Sequence, residues 1–183
     1  EYLRENSIEL VDEEFIKGKE FKIIAPVHSK LEYPVDMTHH EAVRFLLKNN
    51  VDIPIIEITG VKGKTSIVYM LREIFKDFKP LILSSLGVEV EEKGNWKLLK
   101  RDISITPANI ITAWELGHNY DPGIFIVETS LGGTGLGRIG ILTNVAEDYS
   151  IAAGSKTASQ AKTQIFKDEL VISDLASFNK FYV

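Results

Sequence analysis

Six consecutive residues, Gly60-Val61-Lys62-Gly63-Lys64-Thr65, combine types and spacing suited to holding a phosphate. Glycines let backbone N–H groups turn toward an anion, and a helix that starts directly after them adds the positive end of its dipole. In that geometry the Lys64 ammonium reaches the β- and γ-phosphates of a nucleotide and the Thr65 hydroxyl holds Mg²⁺. The loop is shorter than the common phosphate-binding pattern, because Ile58 stands where that pattern has its first glycine. A glycine turn between a strand and a helix can also be purely structural. The Lys64-Thr65 pair decides for nucleotide binding.

A second candidate is Glu128, which follows the apolar run 124–127 (IFIV). In open α/β sheets ligands bind at the carboxyl ends of the strands. A carboxylate there, beside a phosphate loop, offers Mg²⁺ the hard oxygen it needs. The other reading of Glu128 is a cap for the next turn. Gly135, Gly137 and Gly140 formally satisfy G-x-G-x-x-G, but that fingerprint must open a helix, and 139–143 (IGILT) continues as a strand. The dinucleotide reading is therefore rejected. His39 and His40 are adjacent, so they cannot form an i,i+4 metal pair and are read as surface residues.

The elements that position these residues follow from periodicity. Ile53, Ile55, Ile56 and Ile58 suit a strand buried on both faces. Ile67, Leu71, Ile74, Phe75 and Phe78 read as one apolar helix stripe. Residues 38–50 form a helix in which Thr38 and Glu41 make a capping box and Val43, Leu46 and Leu47 face the core. Residues 21–27 read as a short strand, 80–83 as a buried strand, and 88–92 with 96–101 as a surface hairpin with solvent-facing charges. Thr106 as cap and Pro107 at the first helical position start a helix to about residue 116. A helical pattern over 156–167 follows, and the tail 169–183 holds one short apolar run without a clear place. The order predicts an α/β fold, a mostly parallel sheet with helices on both faces.

Composition narrows the class. The chain has 183 residues, 44% hydrophobic and 26% charged, with no cysteine, which excludes disulfides, thiolate metal sites and cysteine nucleophiles. A net charge of −5 gives no basic field for nucleic acid. No apolar run approaches the ~18 residues of a membrane helix, and the acidic amino terminus does not read as a signal peptide. The expectation is a cytoplasmic enzyme with no nucleic-acid or membrane partner, and a partial chain, since no initiator Met is present.

Five ordered motifs across residues 37–168 resemble the central ATPase domain of the Mur ligases, the ADP-forming amide ligases that include folylpolyglutamate synthase. Thr59-Gly60-Val61-Lys62-Gly63-Lys64-Thr65 is similar to T-G-x-x-G-K-T, and the following Ser66 extends the loop. Thr106-Pro107 resembles the T-T-P segment that contacts substrate, and Glu128-Thr129-Ser130 the E-x-S segment whose Glu binds Mg²⁺. Thr143-Asn144 with Glu147-Asp148 resembles T-N-x-x-x-D-H, and Ala161-Lys162 with Ile165-Phe166 resembles A-K-x-x-I-F. One position departs: Tyr149 replaces the family's His, a ligand of a second metal.

The resemblance implies ATP and Mg²⁺ as cofactors, with the nucleotide on 60–66. It implies metal ligation by Thr65, Glu128 and a carbamylated Lys162, and catalytic roles for Lys64 and Lys162. It divides the chain into the end of an amino-terminal domain or an edge strand (1–36), the ATPase domain (37–168) and the unplaced tail (169–183). The segments 25–28 and 36–43 look most like the archaeal branch, first its ligases that complete a nickel tetrapyrrole, then pseudomurein peptide ligases. The implied chemistry is activation of a small-molecule carboxylate as an acyl phosphate. A P-loop NTPase or kinase, and a non-catalytic nucleotide-binding module, are the readings from other classes.

Overall fold

A computed structural model of the chain describes residues 22–183. Seven strands form the central sheet: β3 (Ile55–Thr59), β4 (Pro80–Ser84), β5 (Gly87–Glu92), β6 (Asn95–Lys100), β7 (Ile124–Glu128), β8 (Ile139–Leu142) and β11 (Leu170–Ser173). Their order is β11-β8-β3-β7-β4-β5-β6. The first five run parallel, and β5 and β6 add on antiparallel. Two short ladders lie outside it: β1 (Ile24–Ala25) with β2 (Met37–Thr38), and β9 (Ser150–Ile151) with β10 (Lys156–Thr157).

Alternate residues of the central strands feed two cores, as the two-residue period of a strand requires. Ile55, Leu81, Leu83, Phe125 and Val127 face helices α1 (His39–Leu47) and α3 (Ala108–Gly117), meeting Val43, Leu47, Ile110 and Ala113. Ile56, Ile58, Ile82, Ile124 and Ile126 face α2 (Lys64–Ile74), whose Val68 is fully buried. Helices therefore cover both faces of a mostly parallel sheet, as predicted. Because the five strands are parallel, the ends of β3, β4, β7 and β8 come out at one edge. The loop 60–63, Ser85, Glu128 and Thr143-Asn144 all sit there.

Several local expectations need correction. The stripe is Ile67, Val68 and Leu71 of α2 with the following Phe75; Ile74, on the flank of the helix, and Phe78, on the 3₁₀ turn that follows, are exposed. The hairpin β5–β6 is no surface appendage, because β5 pairs with β4 and buries Val88 and Val90. Its charges are not all solvent-facing: Glu91 is buried and accepts from the Gly94 amide, and Glu89 meets Arg72 and the Tyr69 hydroxyl. Arg72 in turn stacks 3.8 Å from the centroid of Trp96. His40 is buried, with Nδ1 bonded to Gln164 at 3.2 Å, and burial pushes its imidazole down to about 4. The Thr106 hydroxyl does not cap α3; the Asn109 amide folds back onto it and onto Ser104, and Pro107 already has helical angles.

The expected strand over 21–27 reduces to β1, paired with β2 and not with the main sheet, while residues 1–21 lie outside the described ones. The capping box at Thr38 and Glu41 is present as expected. The tail has a place: β11 pairs with β8, and α5 (Leu175–Phe181), capped by Asp174, packs its Phe178 and the following Tyr182 edge-on against Phe166. Among the described residues no helix is long and apolar enough to cross a membrane.

Phe166→Ala removes the ring that holds α5. The expected cost is about 2–3 kcal/mol in urea denaturation, with amide exchange faster in α5 than in β3 or β7; uniform acceleration across the sheet would contradict the packing described.

Candidate nucleotide site

The loop after β3 is shaped by two glycines in left-handed conformations, Gly60 at φ +143° and Gly63 at φ +84°. At Gly60 a Cβ would lie 2.0 Å from Thr143 Oγ1, so this position also needs the missing side chain. The loop is strapped to the end of β8. Val61 N–H donates to the Asn144 carbonyl (2.9 Å) and Lys62 N–H to Asn144 Oδ1 (3.4 Å). The Lys62 carbonyl accepts from Thr143 Oγ1 (2.6 Å) and Asn144 Nδ2 (2.9 Å).

These contacts modify the expectation that every amide of the loop cradles phosphate. The Val61 and Lys62 amides are already engaged by Asn144, and the Lys62 ammonium points to Glu147 in an exposed pair. The first helical bond of α2 runs from Ile67 N–H to the Gly63 carbonyl. That leaves the amides of Lys64, Thr65 and Ser66 without intrahelical acceptors, at the positive end of the helix. The Lys64 ammonium bends back to the Gly60 carbonyl at 3.1 Å, over the same space.

Beside it lies a compact oxygen cluster. Glu128, 2% exposed, accepts from the Thr65 hydroxyl at 3.1 and 3.0 Å and from the Ser85 amide at 3.1 Å. The Ser85 hydroxyl is 3.1 Å from that of Thr65. Glu128 shares the α2-facing side of β7 with Ile124 and Ile126, which is why its carboxylate meets the first turn of α2 and not α3. Among the described residues no group of three or more His, Cys, Asp or Glu could hold a metal. The Thr65–Glu128 pair nevertheless fits Mg²⁺, which commonly takes one or two protein oxygens and completes its octahedron with phosphate and water.

Lys162, at the end of α4 (Ala158–Lys162), is fully buried. Its ammonium donates to the Ser130 carbonyl at 2.8 Å and lies 5.9 Å from the ring centroid of Tyr149. Burial, then the Lys64 charge, pushes Lys162 down to about 8. Burial would raise Asp148, but hydrogen bonds from Ser159 and Thr157 outweigh it and hold the carboxyl below its usual range. Both Asp148 oxygens take donors from Ser159, at 2.8 and 2.6 Å. The structure therefore brings Lys64, Thr65, Glu128 and Lys162 to one edge. Thr106 and Pro107 stand beside them, because the Ile105 carbonyl accepts from the Ser130 amide. Ser85 was missed by sequence reasoning; its position directly after an apolar strand was the available signal.

No protein-family model matches the chain. In an alignment that covers 78% of its length, it is 39% identical to the coenzyme F(430) synthetase of Methanosarcina acetivorans, covering 34% of that protein. Over 87% of its length it is 32% identical to the coenzyme F(430) synthetase of Methanocaldococcus jannaschii, covering 35% of it. A solved UDP-N-acetylmuramoyl-L-alanyl-D-glutamate–2,6-diaminopimelate ligase shares the fold over 88% of this chain and 36% of its own, with TM-score 0.50 and 16% identity. The chain shares the fold of that ligase, and in sequence it resembles the coenzyme F(430) synthetases. It spans about a third of the length of the curated relatives it matches.

Gly60→Ala combines a disfavoured φ with a backbone-anchored clash and is expected to cost of order 3 kcal/mol. Gly63→Ala, where nothing lies within 4 Å of the added Cβ, should cost only about 1–2 kcal/mol. Equal losses in denaturant melts would contradict the strapping of the loop to β8.

Proposed function

We propose that this Mur-ligase-like chain is the ATP-binding part of an ADP-forming ligase that activates a substrate carboxylate. The observation that carries this reading is the convergence of Lys64, Thr65, Glu128 and buried Lys162 at the carboxyl edge of a parallel sheet. Residues 37–168 are read as the ATPase domain, with 169–183 joined to it through β11 and α5. The relatives' names point to a substrate on the way to coenzyme F(430), and the resemblance to the archaeal branch implies a nickel tetrapyrrole carboxylate. A pseudomurein-type amino-acid or peptide substrate is the competitor that a substrate screen separates from it.

A carboxylate oxygen attacks the γ-phosphorus of ATP, the bond to the bridging β,γ-oxygen breaks, and ADP leaves with that oxygen. A second nucleophile then displaces phosphate from the acyl phosphate. Catalysis of the first step is alignment and charge neutralisation. The amides of Lys64, Thr65 and Ser66 hold the phosphate chain, and Lys64 turns from the Gly60 carbonyl to the transferred group. Thr65 and Glu128 would hold Mg²⁺, which neutralises phosphate charge when bound. Thr106 and Pro107 border the carboxylate's approach beside Ser130.

Lys162 supports this reading in either of two forms. As an ammonium it faces the acyl phosphate as a cation; as a carbamate, formed from its neutral amine and CO₂, it adds an anionic metal ligand. Restoration of Lys162→Ala by small carboxylates marks the carbamate. Tyr149 offers no imidazole to a second metal.

The test uses a substrate carboxylate labelled with oxygen-18. The reading expects label in the released phosphate, together with ADP, and loss of both in Lys64→Ala. ADP release that needs no carboxylate and leaves phosphate unlabelled would replace the ligase with an NTPase.

A further inference from the structure

The glycines at 133, 137 and 140 are not explained by nucleotide binding, yet all three abut one buried pair of acids. Glu57, 1% exposed in the middle of β3, shares the α1 and α3 side of the sheet with Ile55. Its carboxylate accepts from Thr134 N–H (2.9 Å to each oxygen), the Thr134 hydroxyl (2.7 Å) and Gly135 N–H (3.0 Å). Asp168, 7% exposed, accepts from Gly137 N–H at 3.2 Å. Its Oδ2 is buried and meets no donor among the described residues, and the Glu57 charge acts on it.

Space has been cleared for this pair. Gly140 lies opposite Glu57 in the β3–β8 register, and a Cβ there would stand 2.4 Å from Asp168 Oδ2. A Cβ at Gly137 would be 2.6 Å from the same oxygen, and one at Gly133 2.7 Å from Glu57 Oε2. Two carboxylates cannot donate to each other, and two adjacent buried anions repel strongly. One proton between them turns the contact into a charge-assisted hydrogen bond.

We infer that Glu57 and Asp168 share one proton and form a latch that positions the 132–137 loop against Lys162. The loop leaves Ser130, whose carbonyl holds the Lys162 ammonium. At its start Gly132 N–H donates to Thr59 Oγ1 (3.1 Å), and a Cβ on Gly132 would be 2.7 Å from the Ala161 carbonyl and 3.3 Å from Lys162 Cα. The far end of the loop is held by the two acids. Losing their proton would place two anions under it and release it from α4. That the latch serves catalysis rests on the proposed function; the latch itself does not.

Burial, then the Glu57 charge, pushes Asp168 up to about 9, and Arg44 of α1 pulls only partly the other way. Of the other charged groups on the elements around the pair, Lys167 is bonded to Glu41 at 2.8 Å, His40 is bonded to Gln164, and Arg138 and Glu169 are exposed. The folded state thus keeps a proton that an unfolded aspartate releases near 4. Its stabilising effect is complete below about pH 4 and is lost progressively as pH rises to about 9.

The test compares wild type, Asp168→Asn and Asp168→Ala. The Asp168→Asn change keeps a donor for Glu57 without a titrating proton. Between about pH 5 and pH 8 the wild-type folding equilibrium constant should fall about tenfold per pH unit relative to Asp168→Asn. Acylation of Lys162 by an amine-reactive activated ester, read by mass spectrometry at pH 7, should rise about tenfold or more in Asp168→Ala and stay near wild type in Asp168→Asn. Parallel pH profiles for wild type and Asp168→Asn, or equal Lys162 acylation in all three proteins, would overturn the latch. Absence of Mg-ATP binding in the wild type would instead count against the proposed function, because neither readout depends on nucleotide.

Discussion

A carboxylate buried at the end of a strand must be met by donors, and Glu128 is met by the Thr65 hydroxyl and the Ser85 amide. The arrangement depends on parallel strand direction. Only because β3, β4 and β7 run the same way do the residues after β3, after β4 and at the end of β7 reach one point. The apolar alternation along those strands sets the side as well. It puts Glu128 toward α2 and Glu57 toward α1 and α3, so that one carboxylate faces the candidate nucleotide site and the other anchors the loop behind it.

The edge is held by polar straps more than by hydrophobic packing. Asn144 fixes Val61 and Lys62, Thr143 crowds Gly60, and Ser130 holds Lys162. A loop tied in this way is preorganised, and the helix amides left free are those of Lys64, Thr65 and Ser66. Two lysines approach the same space, Lys64 exposed to it and Lys162 buried behind it. The Lys64 charge bears on Lys162, as suits a site that receives a polyanion.

Much of this was legible in the chain because it is local. The β3–loop–α2 unit, the Thr38 capping box and the run ending in Glu128 each carry their signal within a few residues. What escaped depends on partners far away in sequence. The run 170–172 looks unplaced until β8, some thirty residues earlier, pairs with it. His40 reads as a surface residue because nothing nearby shows that Gln164 closes over it. Ile74 and Phe78 fit an ideal helix stripe, but Ile74 lies at the flank of the helix, far around from buried Val68, and Phe78 falls on the 3₁₀ turn beyond it. Glycines 137 and 140 match a fingerprint by chance, and their cause is a carboxyl group at position 168.

The proposed nucleotide site requires Lys64 and Glu128 to act on one ligand. Calorimetric titration of Mg-ATP into the wild type, Lys64→Ala and Glu128→Gln addresses it directly. Saturable binding in the wild type, weakened about tenfold or more in both variants, is the predicted result. Equal affinity in all three proteins would contradict the site.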